Sequence, residues 1–228
     1  MVRRRFLATF AVIVTLSAAG RAAGQTEVKY PVPDVPQMMT LQGQYVRLAY
    51  NNEGYAVMGY RMAQQERGNP WILLNAGFVL REGVKDETLK KEDFTIKTPD
   101  GKIVPLPTWA EVQADHSLRA LNERSKKFND NINYFPVGTK FGCAIQFFPE
   151  LTGPGLARDE FEISDLRACV GRLYFKVPGG IQVGQYWLNV KFAGSTVQVP
   201  FRIFTDEQEK EFKKRWEKIK KDYDELTK

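Results

Sequence analysis

The chain has 228 residues, 43% of them hydrophobic, so it is long enough to bury one sizeable core and we expect one domain with appendages. Its formal net charge of +6 would suit a nucleic-acid partner, but Arg3, Arg4, Arg5 and Arg21 lie in a stretch that has the pattern of a removable leader. Without them, 29 basic residues stand against 27 acidic ones and the net charge falls to +2. We therefore expect no nucleic-acid partner.

Residues 1–24 have the pattern of a signal peptide. A basic start precedes an uncharged apolar run from Phe6 to Ala19, and Ala22-Ala23-Gly24 supplies small residues for cleavage before Gln25. The run is shorter than the ~20 residues of a membrane span, which favours a cleaved signal peptide over an uncleaved anchor, the alternative. After cleavage no membrane span is expected. The stretch Arg3–Leu7 also resembles the twin-arginine motif, although three arginines are common in ordinary leaders. We expect a periplasmic or secreted protein, with general secretion favoured over the twin-arginine route.

A proline-rich segment, residues 25–44, follows the leader and favours extended polyproline conformation. From residue 45 to residue 204, apolar and polar residues then alternate in several runs with a period of two, which is typical of half-buried strands. The inward-facing residues of the most regular runs are Val46, Leu48, Tyr50; Ala56, Met58, Tyr60, Met62; Ile72, Leu74, Ala76, Phe78, Leu80; Phe141, Cys143, Ile145, Phe147; Leu173, Phe175, Val177; Tyr186, Leu188, Val190, Phe192; and Val197, Val199, Phe201, Ile203. This pattern predicts an all-β antiparallel sandwich of about seven to nine strands.

Three short motifs within these runs are shared with a known group of domains. Residues 93–102 combine a strand with the tight-turn signature Pro99-Asp100-Gly101, residues 171–178 follow the pattern G-x-L-x-F-x-V-P, and residues 184–190 follow G-x-Y-x-L-x-V. The chain is in this respect similar to immunoglobulin-like sandwich domains of exported bacterial proteins, including the uncharacterised group typified by the domain of unknown function 4352. The resemblance implies an immunoglobulin-like sandwich in which Tyr186 makes a corner hydrogen bond. It implies little about activity, because most members have no assigned chemistry.

The segment near residues 107–137 interrupts the strand pattern and predicts a helical insertion. Thr108 and Glu111 match a capping box, so a helix is expected to begin at Trp109, and the polar stretch Asp115–Ser117 divides the region into two short helices. Their apolar sides are formed by Trp109, Val112, Leu118 and Leu121. We expect a flap on the sandwich edge, with an active-site lid as the alternative. Residues 129–133 also suggest a calcium loop, but the turn glycine and the closing carboxylate of such loops are missing.

The chain contains two cysteines, Cys143 and Cys169. An exported protein meets oxidising conditions, and a Cys-x-x-Cys redox motif is absent, so a structural disulfide between the two is predicted.

Residues that carry catalysis are scarce. His116 is the only histidine, and its neighbours Asp115 and Ser117 do not make a triad, because consecutive helical residues point about 100° apart. Nucleophile-elbow, phosphate-loop and zinc-protease motifs are missing. The carboxylates Asp159, Glu160 and Glu162 suit glycoside hydrolysis in principle but are more typical of a solvated loop. We predict no catalytic residue, cofactor or metal, and a non-enzymatic protein.

Residues 205–228 predict a charged amphipathic helix. Thr205 and Gln208 match a capping box, and eight acidic residues balance eight basic ones, which disfavours a membrane-surface helix. Its apolar stripe, at spacings of four and three, is Phe212, Trp216, Ile219, Tyr223 and Leu226. One interpretation is that the helix folds back over an apolar sheet face near Trp71, Leu73 and Val79. A second is that the stripe binds an envelope or secreted protein partner, or a second copy, and a third is a disordered tail.

Two classes of function follow. The leading prediction is an exported, non-enzymatic binding or structural module of the bacterial envelope that interacts with a protein. The alternative is a carbohydrate-binding accessory domain or an unusual hydrolase, in which Tyr174 and Trp187 on an outer sheet face stack on sugar rings.

Overall fold

The computed structural model describes residues 36–128, 130–148, 151 and 157–226, which are mostly β-structure. The predicted signal peptide and the first part of the proline-rich segment lie outside these residues. The strands are β1 Met38–Leu41, β2 Val46–Tyr50, β3 Gly54–Gly59, β4 Trp71–Leu80, β5 Glu87–Lys90, β6 Phe94–Lys97, β7 Ile103–Pro105, β8 Lys140–Ile145, β9 Glu160–Ile163, β10 Arg167–Lys176, β11 Gly184–Lys191 and β12 Thr196–Ile203. The helices with described bounds are α1 Arg61–Gln65, α2 Trp109–Ala114, α3 Ser117–Ser125 and α4 Asp206–Leu226, with a 3-10 helix at Lys91–Asp93.

The strands form a six-stranded sheet, β1-β2-β3-β4-β10-β8, a four-stranded sheet, β12-β11-β6-β7, and the separate pair β5-β9. The described residues thus contain twelve strands rather than seven to nine, because short strands such as β1, β5 and β9 carry no clear alternation in sequence. The pairs are antiparallel except β8 and β10, which run parallel, contrary to the all-antiparallel prediction. Between these two strands the chain passes through β9, which pairs with β5 and not with β8. The two strands are therefore not joined as a hairpin, and β10 runs in the same direction as β8.

The two main sheets face each other and share an aromatic core. Phe78 of β4 and Phe94 of β6 approach across the interface with ring centroids 5.0 Å apart, and Tyr60 lies 5.4 Å from Phe201 of β12. All four side chains are essentially inaccessible to solvent. Aromatic pairs of this kind add about 0.5–1.5 kcal/mol each to the stabilisation from burial. The period-two pattern therefore identified the core-facing residues of β4, β10, β11 and β12 correctly. For β2 the prediction was wrong: Ala49 faces the main core, whereas Val46 and Leu48 pack with Val57 in a separate cluster on the outer face.

The second predicted strand is shorter than expected. Its inward residues were expected to continue to Met62, but β3 ends at Gly59 and α1 begins at Arg61. Asp130 causes this change, because its Oδ2 accepts a hydrogen bond from the Arg61 backbone N–H at the helix start (3.0 Å). Gly59 allows that approach, since a Cβ there would lie 2.6 Å from the same oxygen. The cap comes from a residue 69 positions away, which local sequence patterns do not reveal.

The helical insertion covers the outer face of the six-stranded sheet. The predicted capping box at Thr108 and Glu111 and the division into two helices are confirmed. On the sheet, Trp71 donates its indole N–H to Asp115 (2.8 Å), and Tyr174 donates its hydroxyl to Asn122 (2.9 Å). Further along, the absence of a side chain at Gly77 makes room for the ring of Phe135. The insertion is thus a layer on a sheet face rather than a flap on the sandwich edge.

Glu87 of β5 gives the sandwich a predicted pH dependence. Partial burial, followed by the charges of Glu53 and Asp93, raises the pKa of Glu87 from 4.5 to about 7. The folded protein therefore holds the proton of Glu87 more tightly than the unfolded chain does, and protonated Glu87 stabilises the fold relative to ionised Glu87. This stabilisation is complete below about pH 4.5 and is lost as the pH rises through about 7. After allowance for solvent screening, Glu87→Gln should raise the free energy of unfolding at pH 8 by about 1 kcal/mol and leave it unchanged at pH 4. Urea unfolding of parent and variant at both pH values tests this, and an equal difference at the two would contradict it.

Candidate functional site

The C-terminal helix α4 begins as the sequence predicts. Thr205 and Gln208 form the reciprocal capping bonds, each 3.2 Å long, which satisfy two backbone N–H groups at the helix start. Asp206, Glu207 and Glu209 occupy the first turn, where the helix dipole favours negative charge. The helix runs for 21 residues, a length of about 31 Å.

The base of α4 is fixed to the sandwich through Glu209. Its carboxylate accepts hydrogen bonds from the Tyr45 hydroxyl (2.6 Å) and the Gln64 side-chain amide (2.9 Å), and Lys213 pairs with it at 2.6 Å. Burial acts to raise the pKa of Glu209, but hydrogen bonds from Lys213, Tyr45 and Gln64 outweigh it, so the pKa is lowered and the carboxylate is held ionised. Gln64, which is almost fully buried, also exchanges two hydrogen bonds with the backbone of Phe204. The chain therefore enters the helix in one defined direction.

Phe212, the first residue of the apolar stripe, belongs to this anchor. Its ring stacks on Phe204 with centroids 5.0 Å apart and an interplanar angle of 21°. The guanidinium of Arg47 lies 6.0 Å from the same ring. Phe212 is therefore used within the molecule, although the sequence placed it in the surface for a partner.

The stripe continues along α4 beyond this anchor. Trp216 is half-buried and Ile219 is 57% exposed. Among the described residues, no hydrogen bond, ion pair or ring contact joins the helix after Lys213 to the sandwich, and neither side chain belongs to the core. Tyr223 and Leu226 lie on the same helix, but their side chains fall outside what the structure describes. The helix does not cover Trp71 and Leu73, as one interpretation expected, because the insertion occupies that face.

Charged residues flank the stripe unevenly. In the heptad that includes Trp216 and Ile219 and in the one before it, the flanking positions of the described helix are Lys213, Arg215, Lys220 and Asp222. Lys213 and Arg215 pair within the helix with Glu209 and Glu211, and Lys220 has no carboxylate partner in the part of the chain that is described. The border of the stripe therefore carries three basic residues and one acidic residue.

The predicted sugar-stacking residues do not form a common surface. Tyr174 lies on β10 of the six-stranded sheet and is fully buried under the insertion, where it packs against Phe148. Trp187 lies on β11 of the other sheet and is 5% exposed. The prediction assumed neighbouring strands, whereas β10 and β11 belong to different layers of the sandwich.

Cys143 and Cys169 lie opposite each other on the parallel strands β8 and β10. Their Cα atoms are 4.6 Å apart and the two sulfurs are at disulfide distance, as the sequence predicted. The half-buried Cys143 and the buried Cys169 link the edge strand of the six-stranded sheet to its neighbour.

Two of the carboxylates with catalytic potential, Asp115 and Glu162, have structural partners. The carboxylate of Asp115 accepts hydrogen bonds from Trp71 and from the Ser117 hydroxyl (2.6 Å), and His116 is exposed at the start of α3. Glu162 pairs with Arg167 at 2.7 Å. In the described residues, no group of three or more histidine, cysteine, aspartate or glutamate side chains converges as metal ligands.

A polar cleft of about 330 Å³ opens on the outer face of the six-stranded sheet, beside residues 130–133. It is lined by Asn75, Asp130, Asn131, Ile132, Asn133, Val170, Gly171 and Arg172. Asp130 does not face this cleft as a free ligand, because its two oxygens bind the backbone N–H and the side-chain Nε of Arg61 at 3.0 Å each. The calcium loop suggested for residues 129–133 therefore lacks its main carboxylate; residue 129 itself is outside the described residues. Sequence reasoning missed the cleft because the insertion and β10 meet only in the folded chain.

Comparison of the chain with protein-family models, curated proteins and solved structures finds no match in any of the three. No helix in the described part of the chain combines the length and the apolar character that crossing a bilayer requires.

Proposed function

We propose that this protein is an exported, non-enzymatic binding module of the bacterial envelope whose helix α4 holds a protein partner. The observation that carries the proposal is the division of α4 into a fixed base and a projecting apolar stripe. Glu209 and Phe212 anchor the base, whereas Trp216 and Ile219 have no polar or ring contact to the described part of the sandwich. Apolar anchors at helical spacing on a rigidly oriented helix suit binding in an apolar groove of another protein.

The flanking charges define the chemistry of the partner. The stripe is bordered by Lys213, Arg215 and Lys220 against Asp222, and the helix itself supplies carboxylate partners to Lys213 and Arg215. Lys220 has no carboxylate partner among the described residues, so a complementary groove has an apolar floor and a carboxylate at its rim facing Lys220. A second copy of the chain fits less well. A parallel pair of helices would place Arg215 beside Lys220 of the other copy. An antiparallel pair would bring the two lysine positions together, and this repulsion offsets the attraction between Arg215 and Asp222 of the other copy.

An immunoglobulin-like sandwich and export are part of the same proposal. Two observations support the fold: the two facing sheets, and a bond from the Gln182 backbone N–H to the Tyr186 hydroxyl (2.8 Å), which resembles the tyrosine corner of such domains. Export is supported by the pattern of residues 1–24 and by the cysteine pair.

The test uses the mature chain from Gln25 with a photo-cross-linking residue at Ile219, incubated with an envelope extract. We expect one protein with an acidic-rimmed groove to cross-link from position 219 and not from position 214 on the opposite side of the helix. Trp216→Ser with Ile219→Ser should lower its affinity about a hundredfold or more, as for interface hot spots, whereas Lys214→Ser with Lys221→Ser should change it little.

Three outcomes would contradict the proposal. Cross-links that form equally from both positions would show that the stripe is not the contact surface. Concentration-dependent dimerisation that the stripe variant abolishes would identify a second copy as the occupant. A loss of more than about 1 kcal/mol in the free energy of unfolding of the stripe variant would show that the stripe packs on its own sandwich.

A further inference from the structure

The cleft beside residues 130–133 contains a cation that the fold does not neutralise. Arg172 projects from β10 into the cleft and is half-buried. Its Nη1 donates to Asn122 Oδ1 (2.6 Å), which is a neutral acceptor, and no carboxylate of the described residues lies within ion-pair distance. The nearest candidate in the lining, Asp130, is already bound by Arg61 through both oxygens. A partly desolvated guanidinium whose partners, Asn122 and the Tyr174 hydroxyl, are both neutral favours an anionic ligand.

Amide side chains form much of the remaining polar lining. Asn75, Asn131 and Asn133 each carry a donor and an acceptor group, which suits ligands with several hydroxyl groups. Asn131 uses one acceptor site for the Asn133 backbone N–H (3.1 Å), and no protein partner binds the side chains of Asn75 and Asn133 among the described residues. Ile132 and Val170 add aliphatic surface for the C–H face of a ring.

We infer that this cleft binds an acidic sugar, with the carboxylate on Arg172 and the hydroxyl groups on the asparagine side chains. The guanidinium fork matches a planar carboxylate in two hydrogen bonds, which neither a neutral sugar nor a simple amine provides. The volume lies at the lower end of the range of small-molecule sites, about 300–1,000 Å³, and so suits a single sugar unit or the end of a chain. This site is independent of helix α4, so it stands or falls separately from the proposed protein partner.

The test is a calorimetric and NMR titration of the mature protein with glucuronate, glucose, acetate and glucose 6-phosphate. We expect glucuronate to bind about tenfold or more tightly than glucose, since charge-assisted hydrogen bonds have that effect, and more tightly than acetate, which offers no hydroxyl groups. Equal binding of glucuronate and glucose, or no binding of either, would overturn the proposal. Acetate as tight as glucuronate, or glucose 6-phosphate as the tightest ligand, would overturn the assignment to a carboxylate sugar.

Two variants locate the site. Arg172→Leu should remove the preference for glucuronate over glucose, but it also removes one of the two hydrogen bonds that Asn122 Oδ1 accepts and is judged only if its circular dichroism and unfolding midpoint match the parent. Asn133→Asp is the second variant: it keeps the side-chain shape at an exposed position and should weaken glucuronate about tenfold while changing glucose little. Asn52→Asp, in the exposed turn between β2 and β3, adds the same charge away from the cleft and is the matched control. If Asn133→Asp and Asn52→Asp weakened glucuronate binding equally, the ligand would not bind in this cleft.

Discussion

Trp71→Ala should lower the free energy of unfolding by about 3–5 kcal/mol, the range for removal of a large aromatic side chain from a core. Trp71 is fully buried on the outer face of β4, and its indole N–H binds Asp115 at the junction of α2 and α3. The substitution therefore leaves a cavity between the sheet and the insertion and removes a hydrogen bond to a carboxylate. Urea unfolding monitored by circular dichroism measures the change.

Two further variants separate the contributions to this effect. Trp71→Phe keeps an aromatic ring but not the N–H group, so it should cost less than the alanine variant, with about 1–3 kcal/mol from the lost bond to a charged acceptor. Trp216→Ala removes the same side chain from the projecting part of α4 and should change the free energy of unfolding by less than about 1 kcal/mol. If Trp71→Ala and Trp216→Ala cost the same, the insertion does not cover the sheet as described.

Replacing both Cys143 and Cys169 by serine should lower the free energy of unfolding by roughly 3 to 4 kcal/mol on the chain-entropy model. The cross-link joins residues 26 positions apart, and the unfolded chain gains conformational freedom when this loop opens. The bond also fastens β8, an edge strand, to β10, so opening it should loosen that edge first. Hydrogen exchange of the β8 backbone amides, compared with those of β11, measures this local effect.

Reduction of the parent protein is the control for the double variant. Parent protein treated with a thiol reductant should unfold at the same urea concentration as the untreated variant, and the reductant should not affect the variant. An unfolding midpoint of the parent that does not change on reduction would show that the cysteine pair contributes nothing to stability.

The layered structure explains where a ligand or partner has access. The inner faces of both main sheets are buried against each other, and the insertion covers the outer face of β4 and β10 through Trp71 and Tyr174. Helix α4 projects beyond this assembly, and the cleft lies where the insertion ends on the sheet. The proposed protein partner therefore binds on helix α4, and the proposed acidic sugar binds in the cleft.

Local patterns in the sequence determined the elements that depend on neighbouring residues. Alternation identified the inward faces of β4, β10, β11 and β12, because a strand turns every second side chain to the same side. It gave the wrong face for β2, because both faces of that strand are apolar and the outer one is covered by the insertion. The capping boxes at Thr108 and Thr205 marked the starts of α2 and α4, because each is closed by residues three positions apart. The two cysteines were correctly paired, since the chain offers one combination only.

Only the tertiary structure decided what depends on residues far apart in the chain. Asp130 ends β3 and starts α1 from 69 positions away, Glu209 orients α4 by binding Tyr45, and Asn122 receives both Tyr174 and Arg172. Hydrogen bonds of this kind leave no periodic signal, because their partners meet only after the layers have packed. For the same reason the sequence placed Tyr174 and Trp187 on one surface: alternation gives the face of each strand but not the sheet it joins, and β10 and β11 join different sheets.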